Sequence, residues 1–337
     1  MENPVKRRGL LQVAEVAGVS LSTVDRVLNE RGSVSDTKRR KVLAVARALG
    51  VRPGLPPPLS GPLHIDVLLA DSDTDHFKRM DAAFSRLVQR LHPRLVLRQQ
   101  RWPMAKPAAL LDALRKPGAR RQGLIVYAPD IESIREALEA VVRSGTPTVL
   151  LTSNLEVKGA SFVGIDNYAA GRTAGRLMSR WLDTREGAVL LVVNSLQYNA
   201  HRLRAKGFTD VMARHAPKVR IIGPVECLDD PDLTEAAVTA ALAAEPVVGL
   251  YDTGCGTTGI CRVLKHTGHT PVWIGHEASE QHAELLREGL LSLVLDQDPE
   301  GQARASIDYL LYVHGVLPTP PLTQLALKIV VDENLPA

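Results

Sequence analysis

Cysteine is scarce in this chain: Cys227, Cys255 and Cys261 are the only three in 337 residues, and none stands in a C-x-x-C pair. That excludes a disulfide framework and a zinc knuckle, and leaves reduced, mostly buried thiols. Nothing calls for a metal or a cofactor. Long apolar runs are also missing, since no stretch reaches the roughly 18–20 apolar residues a membrane helix needs, and no membrane partner is expected. The N-terminal MENPVKRRGLLQVAEVAG is basic but has no apolar core followed by a small-residue cleavage site. This argues against a secretory signal and for a cytoplasmic protein.

The remaining composition is ordinary for a globular protein, with 45% apolar and 23% charged residues. The length suits a small module plus a large one rather than a single core. Charge is unevenly placed. Residues 1 to 60 carry eleven Lys/Arg against five acids, a formal +6, so the remainder holds −2 of the total +4. A basic head on a near-neutral body is the electrostatic footprint of a nucleic-acid-binding module.

Residues 10 to 49 read as three short helices. Leu10, Val13, Ala14 and Ala17 share one face, Gly18 breaks the run, and Ser20 caps a second helix with Val24, Val27 and Leu28 inward. Ser35 caps a third that buries Val42, Val45, Ala46 and Leu49. On the second helix the outward positions are Leu21, Ser22, Asp25, Arg26 and Asn29, a polar face able to reach base edges in a major groove. Lys38, Arg39, Arg40 and Lys41 crowd the start of the third helix, where the helix dipole disfavours cations; an external anion such as phosphate relieves that cost.

The segment 52–62 then holds five prolines and two glycines in eleven residues, which forbids a regular helix or central strand and reads as a linker. From His64 onward ten short apolar runs (IDVLLA, LVLR, LIVYA, TVLLT, FVGID, AVLLVVN, RIIGPVE, VVGLYD, PVWIGHE, LSLVLDQ) are mostly separated by amphipathic stretches. Strands alternating with helices predict parallel sheets sandwiched between helices, and ten strands suit two sheets better than one.

The pattern V-A-x-x-A-G-V-S-x-x-T-V-x-R-V-L-N from Val13 to Asn29, with Val34-Ser35 and Leu49 to Pro53, resembles the N-terminal domain of the LacI/GalR repressor family. The resemblance implies that Leu21, Ser22 and Arg26 read bases, with Arg26 the leading candidate against guanine. It implies that Ser20, Thr23, Asn29, Ser33 and Ser35 hold phosphates, which Lys38 joins on the electrostatic argument. Asp25 stands where the family most often has serine. The family's linker folds into a hinge helix on the operator, whereas the three consecutive prolines of LPPPLSG here predict a stiff spacer.

Residues 64 to 337 resemble the ribose-binding type of periplasmic-binding-protein fold. The resemblance is carried by VGIDNYAAGRTAGRLM (163–178), the Y-x-x-H-R-x-R-x-x-G-F run from Tyr198, IGHE (274–277) and DQDPEGQA (296–303). The expected organisation is an all-α helix-turn-helix domain over 1–54, a linker over 55–62, and a two-lobed α/β effector domain over 63–337. Its first lobe would comprise about 63–165 and 296–322, its second about 166–295 and 323–337, with crossings near Asp166, Asp296 and Thr323. The cleft residues the resemblance implies are Thr74, His76, Phe77, Asp130, Arg202, Thr253, Glu277 and Gln297, groups suited to a sugar or polyol. Tyr198, His201 and His276 add polarity, although each lone histidine also fits a hydrogen-bonded structural role. The partners so implied are a near-palindromic operator duplex, a small effector and a second copy of the chain.

Three rival readings exist. Gly254-Cys255-Gly256-Thr257-Thr258-Gly259 satisfies G-x-G-x-x-G and would suit a nicotinamide-dependent oxidoreductase, but it lies late in the chain rather than in a first βαβ unit. Ser195, His201 and Asp252 could suggest a hydrolase, but no G-x-S-x-G surrounds the serine. A solute receptor for transport would share the large module and lack the DNA reader. A non-enzymatic regulator is the expectation.

Overall fold

The computed structural model describes residues 4–28, 34, 35, 38, 41, 42, 45, 46, 61–91, 95–117, 121–183, 185–317 and 319–335. Its contacts group residues 1–61 with 311–320 as one unit and 62–310 with 321–337 as another.

In the N-terminal segment α1 (Pro4–Ala17) and α2 (Leu21–Leu28) are joined by three residues. Helix α1 starts six residues before the expected Leu10. Proline is tolerated in a first turn, where its missing amide would have no partner anyway. Gly18 ends α1 in the left-handed region (φ +61°), with its amide donating to Glu15 O (3.1 Å) and that of Val19 to Ala14 O (3.0 Å). Only glycine takes this turn without a steric cost. Residues 38, 41, 42, 45 and 46 are helical. Val13, Ala17, Val24, Val27, Val42 and Ala46 are buried together, with Leu10, Val19, Leu28, Val34 and Val45 at the edge. These helices are too short to stand alone and are held by that shared face.

The large unit contains two sheets. The first has the order β2-β1-β3-β4-β5 and is parallel throughout: β1 (Leu63–Asp71), β2 (Leu95–Pro103), β3 (Gly123–Val126), β4 (Thr148–Leu151) and β5 (Ser161–Val163). Helices α3 (Asp75–Leu91), α4 (Pro107–Arg115) and α5 (Glu132–Arg143) connect its first four strands. The second sheet has the order β11-β10-β9-β8-β6-β7, with β6 (Ala188–Val193), β7 (Arg220–Glu226), β8 (Val247–Asp252), β9 (Val272–His276), β10 (Leu293–Asp296) and β11 (Lys328–Val330). Its helices are α6 (Asn167–Leu182), α7 (Asn199–His215), α8 (Pro231–Ala244), α9 (Thr257–Thr267) and α10 (Glu280–Arg287). Strand β11 runs antiparallel to β10, unlike the others. Helix α11 (Pro299–Val313) returns to the first sheet, where Leu310 lies beside Gly123.

All six residues of β6 are buried, because cores flank both faces of the second sheet. One is built around Trp273 and Ile260, the other around Phe208, Tyr251 and Met178. This is why its strands read as continuous apolar runs rather than alternating ones. The chain crosses between sheets after β5, after β10, and before β11, where Gly164 N donates to Thr323 O (3.1 Å) and Leu325 N to Gly164 O (2.8 Å). Carboxyl ends of strands from both sheets therefore border one cleft.

One helix pair positions the cleft chemistry. A Cβ on Gly171 of α6 would lie 2.0 Å from Arg204 O, and one on Gly207 of α7 would lie 2.2 Å from Tyr168 O. The two backbones touch, and only glycine fits at that crossing.

Candidate functional site

Two sites emerge, one in each unit. On α2, Ser20 caps the helix by accepting from Thr23 N (3.2 Å), and its Oγ lies 2.9 Å from Ser22 Oγ and 2.8 Å from Thr23 Oγ1. Val24 and Val27 point into the core, which leaves Ser22 and Arg26 exposed and Leu21, Thr23 and Asp25 half-buried. Ser35 and Lys38 are exposed. Asn29 and Ser33 lie outside the described residues. The surface of α2 is thus a polar patch centred on one arginine, on a rigid, capped helix whose width suits a major groove.

In the large unit the cleft holds a cavity of about 340 Å³, bordered by Thr74, His76, Asp229, Gly254–Thr258, His276 and Glu277 among others. An inner pouch of about 30 Å³ reaches Phe77, Tyr127, Thr152, Asn194, His201, Arg204 and Gln297. Arg204 anchors the floor. It is buried and donates through Nε to Asn167 Oδ1 (2.8 Å), through Nη1 to Thr253 O (2.7 Å) and through Nη2 to Gln297 Oε1 (2.8 Å). Gln297 donates to Glu277, which lies 3.2 Å from His76 Nδ1. His76 Nε2 is 3.3 Å from Thr152 Oγ1, which donates to Gln302 Oε1 (2.7 Å).

The lobes are in direct contact around this network. Ser72 Oγ donates to Asp229 Oδ2 (3.1 Å), Asn199 Nδ2 to Asn154 O (3.1 Å) and Ala200 N to Ser153 Oγ (3.2 Å), while Tyr127 and Tyr198 stack at 4.8 Å. Arg79 of α3 reaches Ala278 O (3.2 Å), Asp296 and Glu300.

Electrostatics follow from burial. Desolvation, with Arg204 and His76 adding to it, drives His201 down to about 3. His276 is held well below the usual histidine range by burial and Arg204, so both rings are neutral at pH 7. For Glu277 burial alone would raise the pKa, but His76, the Gln297 hydrogen bond and Arg204 hold it well below the carboxylate range. Asp229 is pushed up by burial, against hydrogen bonds from Ser72 and Asn194. Thr152 (φ +64°), Asp229 (+56°) and Glu277 (+73°) all sit in the left-handed region. Such backbone costs about 1–3 kcal/mol per non-glycine residue and tends to mark ligand sites.

The predicted residues divide clearly. Thr74, His76, Phe77, Glu277 and Gln297 line the cavity or its pouch. Thr253 lies one layer behind, its Oγ1 2.7 Å from His201 Nδ1, and Tyr198 stacks behind Tyr127. Asp130 and Arg202 do not line the cavity. They pair with each other, Arg202 also donating to Leu196 O (2.8 Å) and Asp130 also accepting from Arg135. The cleft arginine is Arg204, two positions on. Helical spacing carries the signal for it: His201, Arg204, Ala205 and Phe208 share the buried face of α7, and Arg202 lies off it. Asn194, Asp229 and Tyr127 also line the site.

The hydrolase constellation is not assembled. Asp252 accepts from Trp273 Nε1 (2.8 Å) and Gly254 N (3.0 Å), His201 turns to Thr253, and Ser195 Oγ accepts from Gln197 N (3.2 Å). The glycine loop has packing reasons of its own: Gly256 caps α9 at φ +78°, and a Cβ on Gly259 would stand 2.4 Å from Pro231 O.

With this geometry in place, comparison with known proteins is decisive for the family. Residues 10–54 match the bacterial regulatory proteins of the lacI family, and residues 65–314 match the periplasmic binding protein domain. The chain is a member of the LacI/GalR family, with a periplasmic-binding-protein body. It is similar to the HTH-type transcriptional regulator DegA of Bacillus subtilis (strain 168), at 22% identity over 208 residues. The match spans 60% of this chain and 60% of that regulator's length. Among solved structures, an ABC transporter solute-binding protein from Burkholderia graminis in complex with D-arabinose superposes with a TM-score of 0.73 at 15% identity, covering 81% of this chain and 96% of that one. The glucose-galactose binding protein GanP from Geobacillus stearothermophilus gives 0.72 at 20% identity, covering 82% and 99%. A solute-binding protein from Bacillus halodurans with bound myo-inositol gives 0.71 at 17%, covering 82% and 96%. These confirm the two-sheet α/β fold. The LacI/GalR assignment does not favour the dinucleotide-enzyme reading.

Proposed function

We propose that this LacI/GalR member is a sequence-specific regulator of transcription, acting as a repressor whose DNA affinity is set by a small polyhydroxylated effector held between the lobes. It is a binding protein rather than an enzyme and works in the cytoplasm. No helix among the described residues is long and apolar enough to cross a membrane. Two copies pair and present two α2 helices to half-sites about one helical turn apart, which makes a near-palindromic operator the natural target. Ser20, Leu21, Ser22, Thr23 and Arg26, with Asn29, Ser33, Ser35 and Lys38, form the DNA surface.

The observation that carries the effector reading is a hydrogen-bond deficit in the cleft. Asn194 Oδ1, Asp229 Oδ1, His276 Nδ1 and Glu277 Oε2 are all buried without a hydrogen-bond partner. Buried polar groups are almost always paired, so four such atoms around one cavity mark a place built to receive a ligand rich in hydroxyls. The cavity lies at the small end of the range for small-ligand pockets, about 300–1,000 Å³. Sugars and myo-inositol occupy relatives of this fold, which agrees with that chemistry.

The test is selection of duplexes from a randomised library with the purified chain, followed by fluorescence anisotropy on the enriched site with and without a sugar and polyol panel. An enriched site with internal two-fold symmetry, and at least one polyol that changes its affinity, are expected. By linkage the duplex must change affinity for that polyol by the same factor. Failure to enrich any sequence would overturn the DNA reading. Tight polyol binding without an effect on DNA would overturn the regulatory one.

A further inference from the structure

The chemistry of the unpartnered atoms says more than that a ligand binds. Asn194 Oδ1 and Glu277 Oε2 belong to side chains over nine-tenths buried, and both are acceptors that cannot donate when the glutamate is ionised. Asp229 Oδ1 is a third acceptor, and the remaining atom, His276 Nδ1, sits on a ring whose Nε2 lies 2.9 Å from Tyr251 OH. The protein's own strong donor, Arg204, already has three N–H groups engaged by Asn167, Thr253 and Gln297. These buried acceptors are therefore left without a protein donor.

The cavity is also acidic. Among the described residues Asp73, Asp75, Asp229 and Glu277 border it, against Lys78 and, in the inner pouch, the already engaged Arg204. Glu277 has His76 at 3.2 Å and Arg79 at 3.9 Å, whereas Asp229 is held by the neutral hydroxyl of Ser72. The N-terminus of α9 at Thr257 contributes about half a positive charge, which does not offset these carboxylates. A phosphate or carboxylate placed here would bring acceptors against acceptors. Among the described residues no three His, Cys, Asp or Glu side chains are grouped to hold a metal ion, so the donors and the charge must come from an organic ligand.

We propose that the effector is a polyol bearing a protonated amine, an amino-substituted sugar or cyclitol, with its ammonium against Asp229 and Glu277. The inference rests on the polyol-effector reading above. The ammonium supplies three donors at one point, and the hydroxyls of the ring serve Asn194 and His276. Burial pushes the Asp229 carboxyl upward, and a neighbouring ammonium brings it back.

The experiment is calorimetric titration of the full chain with matched sets: the 2-amino, neutral, 6-phosphate and uronate forms of glucose, galactose and mannose, with myo-inositol and its amino analogues. An amino form should bind on the order of ten- to a hundredfold more tightly than its neutral parent, the scale of a charge-assisted hydrogen bond in a desolvated site. Phosphates and uronates should bind more weakly than the neutral parent. Asp229→Asn should lower the amino-to-neutral ratio severalfold, Glu277 keeping the remainder, and an unchanged ratio in the folded variant overturns the placement of the ammonium. Asp73→Asn with Asp75→Asn, at less buried positions, should lower the same ratio severalfold if Asp229→Asn fails to fold. Equal binding of a neutral parent and its amino form overturns this inference and leaves the polyol reading intact. A preference for phosphates or uronates overturns it as well. No binding by any member of the panel overturns both.

Discussion

Arg202 and Arg204 stand two residues apart on α7, and replacing each with alanine should have very different consequences. Arg204 is buried, and its removal leaves Asn167 Oδ1, Thr253 O and Gln297 Oε1 without their donor. Each buried acceptor so stranded costs about 1–3 kcal/mol. Water entering the vacated space recovers part of that, so Arg204→Ala should cost about 3–5 kcal/mol, the range for breaking a buried charged network. In a body of this size that corresponds to a melting temperature lower by on the order of 10 °C. The Arg202 side chain is 37% exposed, and its partner Asp130 keeps a second arginine, Arg135. Solvent-screened pairs of this kind are worth about 0.2–1 kcal/mol, so Arg202→Ala should shift melting by no more than about 3 °C. Arg204→Lys should recover only part of the loss, because one ammonium cannot span three acceptors set for a planar fork. Thermal melts followed by circular dichroism, with effector titration on the folded fraction, separate the cases. Equal losses at the two positions, or a larger loss at Arg202, would show that burial is not what ranks these arginines.

Three further outcomes follow from the same geometry. Arg26→Ala should weaken operator binding by about 1–3 kcal/mol and relax specificity at one base pair without moving the melting temperature, while Lys38→Ala should weaken all duplexes alike and reduce the salt slope by about one; anisotropy across a salt series reads both. Gly171→Ala drives a methyl to 2.0 Å from Arg204 O and should cost at least about 1–3 kcal/mol by forcing α6 and α7 apart, with melting temperature and effector affinity falling together. Stability should decline below neutral pH: His201 at about 3 and the still-lowered His276 stay neutral in the fold, while unfolded histidine binds a proton near 6.5. The unfolded chain then holds more protons, and each histidine contributes up to about 1.4 kcal/mol of loss per pH unit as pH falls through 6.5 toward the folded value. Asp252, raised by burial to about 6, gains a proton earlier in the fold than when unfolded and offsets part of this. His201→Asn should flatten the decline in urea midpoint between pH 7 and 5, and an unchanged slope would contradict the assignment.

Much of this molecule is legible in its residues because local and global demands agree. Ser20, Gly18 and the valine stripe of α2 each fix the same turn, and the apolar runs of β6 and β8 announce a sheet covered on both faces. Strand β11 has little apolar signature in the sequence, because its three residues are mostly exposed and its pairing is antiparallel. The cleft is less legible. The motif that points to Arg202 also contains Arg204, and only the 3.6-residue phase relative to His201 and Phe208 separates them. Asp229 hides in the run Asp229-Asp230-Pro231-Asp232, where Asp230 caps α8 by accepting from Asp232 N and Leu233 N. The neighbouring carboxylate reads as part of the same turn. Its aim into the cavity depends on a left-handed backbone that no composition rule indicates for aspartate.

The glycine crossing between α6 and α7 also limits how this receptor can change its ligand. The atom nearest Gly171 is the carbonyl of Arg204 itself, so the residue that organises the cleft floor also sets the closest approach of two core helices. Mutational drift at Arg204 or at the glycines disturbs recognition and folding at once and should be rare among functional variants. Asn194, Asp229 and His276 reach the cavity from strand ends and loops outside that crossing. New specificities, natural or engineered, are therefore most accessible through those three positions, with the helix pair kept as an invariant chassis.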